Sequence, residues 1–214
     1  MANTNGAWGL KPVSKFGQNS NSTGVSGYTQ YEIASGNSSA IYQGTPVIPL
    51  STGYIDIVGA AAGGTVGLLG AFMGCRYVAS TTGKPTWSNY WPGSGAASNH
   101  PVRAFIADDP MQVFSIATDA TWTSKATARA GVFANANFSS GTSGSTTTGN
   151  SSAALAISTI ATTKTLNLRI LGWEEDPMNQ DFSAAGIPVL VRLNNHFNSS
   201  NGAIVAGTTD TAGV

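Results

Sequence analysis

Short runs of β-branched and aromatic residues, cut apart by clusters of Gly, Ser and Asn, fill most of this chain. No segment repeats apolar residues at the three-and-four spacing of a long amphipathic helix, which leaves an all-β fold, a β-sandwich or barrel-like domain. The strands expected are Tyr28 to Ala34, Ile41 to Leu50, Tyr54 to Val58, Thr65 to Ala79 (one strand or two), Val102 to Ala107, Gln112 to Ala117, Lys164 to Gly172 and Ile187 to Leu193. Pro46 and Pro49 lack the amide that a central strand donates, so the second run is expected to be an edge or bulged strand. Asp108-Asp109-Pro110 predicts a hairpin turn between the strands on either side. Trp122 to Phe138 fits either a short helix or a strand. Ser139 to Ser152 is a long Gly/Ser/Thr loop, mobile or draped on the surface.

Three regions follow. Residues 1–27 are too polar to make a core of their own and read as an extended N-terminal arm. Its isolated anchors, Trp8, Leu10, Val13 and Phe16, are candidate contacts to a partner surface or a neighbouring subunit. Residues 28–197 form a single β domain, and 198–214 a polar tail. From Ile57 to Cys75 no charge occurs over about the length of a membrane span. Repeated glycines and the lack of a flanking Lys/Arg cluster favour instead two buried strands joined at Ala60–Gly64.

Charge narrows the function classes. Lys plus Arg and Asp plus Glu number 10 each, and charged residues are 9% of the chain, against about 25% in ordinary domains. A balanced, charge-poor surface argues against nucleic acid. Cys75 is the single cysteine, so no internal disulfide exists, and its apolar neighbours predict a buried, inert thiol. The first residues carry no secretory pattern, so maturation in a cytoplasm is expected. Gly83-Lys84 runs into Pro85 and makes no phosphate loop, and Gly64, Gly67 and Gly70 match a dinucleotide turn only loosely. His100 and His196 stand apart, as hydrogen-bonded loop histidines rather than metal ligands. Asp108 and Asp109 are neighbours that a strand would point opposite ways, not a glycosidase pair. No catalytic constellation, cofactor or metal site is expected, and the chain reads as a non-enzyme. Trp87, Tyr90 and Trp91 form an aromatic contact loop. Burial in the core or between subunits is the first reading, and a sugar-stacking surface the second.

Several motifs then occur in order between Tyr28 and Phe197: Gly74-Cys75-Arg76-Tyr77, Thr82-Gly83-Lys84-Pro85, Tyr90-Trp91-Pro92, Asp108-Asp109-Pro110 before Phe114-x-Ile116, Leu168-Arg169-Ile170-Leu171-Gly172, and Asn194-x-His196. In these the chain resembles small β-rich virion structural proteins of tailed bacteriophages. The resemblance implies a capsid decoration or cement protein, made in the host cytoplasm and bound to the outer surface of an icosahedral head. Its partners would be the major capsid protein and other copies of itself, often as a trimer. A tail or head-fibre component is one alternative, and a carbohydrate-binding module using the Trp87–Trp91 loop another. The resemblance carries over no active-site residue. A neutral Ser/Thr/Asn surface agrees with it, because many copies can crowd together without summed repulsion.

Overall fold

The computed structural model describes residues 3, 6–16, 27–58, 67–140 and 143–199. In chain order these form β1 (Lys11–Lys15), β2 (Thr29–Ile33), β3 (Pro46–Pro49), β4 (Ile55–Ile57), β5 (Gly70–Val78), β6 (Pro85–Ser88), β7 (Val102–Ala107), β8 (Gln112–Ala117), a short helix α1 (Lys125–Ala130), β9 (Asn135–Ala136), β10 (Leu168–Trp173) and β11 (Pro188–Leu193). The protein is nearly all β, as the run pattern predicts, with two antiparallel sheets. One has the order β1-β8-β11-β10-β9; the other runs β2-β7-β5-β3-β4, with β6 also pairing β5. Among the described residues no helix is long and apolar enough to cross a membrane. The charge-free Ile57–Cys75 stretch contributes the end of β4 and the start of β5; its glycine-rich joint lies outside the described residues.

Two apolar clusters lie on opposite faces of the six-stranded sheet. Alternation along β7 shows this: Val102, Ala104 and Ile106 fall in one cluster, and Ala107 in the other, with Phe114, Ile116, Val189 and Val191 of the five-stranded sheet. The first cluster is closed by the bridge between Ile41 and Trp91, whose amides and carbonyls bond reciprocally.

Four expectations are corrected. β7 and β8 are not a hairpin, because they belong to different sheets, and Asp108-Asp109-Pro110 is the corner between them. β3 is not an edge strand, since β5 and β4 flank it. Its prolines occupy its two ends, where the Pro46 carbonyl accepts from the Val58 amide and no proline amide is required. The arm is in part a strand: β1 pairs along β8, and Leu10 is buried in the core. A polar stretch can lie in a sheet without its own core, because the ladder uses backbone groups and β8 offers an open edge. Residues 17–26 lie outside the described residues. Last, Trp87 lies on strand β6 rather than in a loop.

Trp122 to Phe138 contains both options, α1 and then β9. Ser124 caps α1 by accepting from the Thr127 amide. The Gly/Ser/Thr segment is draped where it is described: the Gln43 amide donates to Gly149, the Ser151 amide to Gln43, and the Asn89 side chain to Thr148.

Glycine is required where β5 meets β7. A Cβ on Gly70 would run into the Ala107 carbonyl. Gly70→Ala should therefore cost about 2 kcal/mol or more through forced separation of the strands. A urea midpoint equal to that of the wild type would show that this close approach does not matter.

Candidate functional site

The outward positions of the six-stranded sheet gather a patch that no run of sequence displays. Register aligns Glu32 with Arg103, Arg103 with Arg76, and Arg76 with Trp87, on four adjacent strands. Arg103 pairs with Glu32 at 3.2 Å. The Arg76 guanidinium lies over the Trp87 ring, 5.3 Å from its centre, an attraction of cation and π-face. The Trp87 ring in turn stacks on Phe105, 5.8 Å apart and 14° from parallel. Trp87 is still 66% exposed. Two arginines directly opposite repel each other, so the row is electrostatically under-compensated on the Arg76 side. Gly74 sits beside it at a bulge in β5, with φ +138, leaving a hollow of about 330 Å³ between β5 and the Trp87 and Phe105 rings.

The three aromatic residues singled out in the sequence separate. Trp91 is wholly buried, donates to the Asn37 carbonyl and meets Tyr77 edge-on, so it is core. Tyr90 stacks on Tyr42 and is half-buried. Only Trp87 faces solvent.

The arm's anchors also diverge. Leu10 is core. Val13 sits half-buried at the bulge of β1. Phe16 is exposed beneath the Arg192 guanidinium. Trp8 donates to the Ser115 carbonyl and walls a cleft of about 430 Å³ with Lys11, Gln43, Met73 and Glu174.

Sequence reasoning missed Phe133 entirely. It is 77% exposed, in the left-handed region at φ +71, just beyond α1. Thr123, just before α1, has φ +67. A bulky side chain in that conformation is strained by about 1–2 kcal/mol. Nothing in residue type or spacing announces it.

Buried titratable groups complete the inventory. Cys75 is 1% exposed, and burial pushes its thiol up to about 12. His196, expected in a polar loop, is instead buried, and its Nδ1 accepts from the Asn198 amide. Burial lowers its pKa to about 4, against the opposing pull of Asp108 and Asp109. Asp108 accepts from the Tyr31 hydroxyl and from Thr29. Among the described residues no three His, Cys, Asp or Glu side chains gather as metal ligands would. Compared with known proteins, the chain matches no family model, no curated protein and no solved structure.

Two measurements test these environments. Cys75 should resist a thiol reagent in the native protein and react only after unfolding; prompt native labelling would contradict its burial. His196 is neutral in the fold, so its contribution to stability is complete above its ordinary value of 6.5 and is lost as pH falls towards about 4. The loss should approach about 3 kcal/mol, and His196→Gln should remove that dependence. An unchanged pH profile in the variant would exclude His196 as its source.

Proposed function

We propose that this chain is a non-enzymatic virion structural protein: a capsid decoration or cement protein that attaches to the outer surface of an icosahedral phage head through the major capsid protein. The observation that carries the reading is Phe133. A large ring held in a strained conformation and offered to solvent costs the isolated chain backbone strain and returns almost no burial in exchange. Such a residue is explained by a partner that covers it. The rest of the surface suits a crowded lattice, since net charge is zero and short polar side chains repel nothing. Burying one such ring contributes about 1.5–3 kcal/mol per copy, and binding of many copies to the intact shell stabilises it by mass action. The sugar-binding reading is weaker, because Arg76 and Phe105 both lie against the Trp87 ring and leave less of it for a pyranose face.

The test uses the full chain added to heads that lack it. Saturable binding and a higher temperature of head rupture are expected. Phe133→Gly relieves the backbone strain, so it should melt no lower than the wild type yet bind heads roughly 10- to 100-fold more weakly. Unchanged attachment would remove Phe133 from the interface. A wild-type chain that ignores heads but binds a glycan array, or that images on the tail, would overturn the capsid assignment.

A further inference from the structure

Among the described carboxylates, Glu174 and Glu175 alone take no hydrogen bond or ion pair from a side chain or backbone amide of this chain. The others are engaged with Arg103, Asn37, Tyr31, Lys15, Asn179 or nearby amides and hydroxyls. Arg76 is their counterpart, facing a second arginine across the strand pair with no acidic partner among the described residues. In a chain with only 10 acidic and 10 basic residues, unpaired charges of both signs are informative. Glu174 and Trp87, whose ring Arg76 covers, line two adjoining depressions that make one trough. The cleft that Glu174 lines and the hollow beside Trp87 share Met73 as a common wall. Lys11 also lines the acidic end, matched in charge by Asp176, which leaves Glu174 in excess within the cleft.

We propose that this trough is a two-fold interface with a second copy of the chain, in which Arg76 and Trp87 of each copy meet Glu174 and Glu175 of the other. A two-fold contact must be self-complementary. An acidic end and a basic, aromatic end on either side of a shared methionine meet that condition, because rotation about Met73 places each end over its opposite. Trp, Met, Phe and Arg are the side chains enriched at the centre of such interfaces. The dimer would relieve the Arg76–Arg103 repulsion and cover the most exposed indole of the six-stranded sheet. It requires nothing about where the protein sits on a particle, so its failure leaves the head-binding result untouched.

Sedimentation velocity of the full chain over a dilution series tests it. A concentration-dependent dimer that weakens with added salt is expected. Arg76→Glu, or Glu174→Arg with Glu175→Arg, should each raise the dimer Kd at least roughly tenfold, and combining all three should restore association. Trp87→Ser, at an exposed site, covers the case in which charge reversal disturbs the sheet, and it too should weaken the dimer. A wild type that stays monomeric, one that forms a trimer, or association indifferent to both reversals and to Trp87→Ser overturns the proposal.

Discussion

Asp108 and Asp109 are adjacent in the chain and are bound to different sheets. Asp108 accepts from Tyr31 and Thr29 of β2, in the six-stranded sheet, while Asp109 pairs with Lys15 of β1, in the five-stranded one. The Asp109 carboxylate also takes the Met111 amide and closes the turn through Pro110. Because β2 pairs β7 and β1 pairs β8, the chain passes between the sheets at this corner, and the strands that brace it are the two nearest the N-terminus. The far end of the fold returns to the same place. Arg192 of β11 donates to the Pro110 carbonyl, and the charges of both aspartates act on the buried His196. Tyr31, whose hydroxyl is pushed up to about 12 by burial and then by Asp108, stays a donor at any physiological pH. One acidic corner thus fixes how the sheets face each other, and with that which side of β7 is core and which is displayed.

What sequence could show of this was the strands whose side chains alternate or run apolar. β7, β8, β10 and β11 stand out because burial on one or both faces selects Val, Ile, Leu and Phe. Their partners did not stand out. Asp-Asp-Pro marks a turn, but a turn's chemistry does not say whether the chain returns to the same sheet or crosses to the next. β1 was hidden for a different reason. Lys11, Ser14 and Lys15 look like a solvated arm, and only the open edge of β8 makes a strand of them. The displayed patch required register: Arg76 and Arg103 are 27 positions apart in the chain, and a single bulge at Gly74 decides that they meet. Phe133 depended on a dihedral angle, which composition does not encode.

The scarcity of charge has a structural cost that the fold meets at its edges. A sandwich exposes unpaired strand edges, and a neutral Ser/Thr/Asn surface gives little protection against further strands adding there. Several of the few charges stand where such addition would begin. β1, an edge of the five-stranded sheet, carries Lys11 and Lys15 with Pro12 between them. β2, an edge of the other sheet, carries Glu32, and β4, at the opposite edge, is three residues long with Asp56 at its centre. β6 is followed back along the chain to Lys84 and begins at Pro85, and β9 has only two residues. The charges that remain on strands are split between these edges and the interior strands, where Arg76, Arg103, Arg169 and Arg192 stand. Charge and proline at an edge discourage further strands from adding there, whereas charge on a face would set the orientation of whatever packs against it.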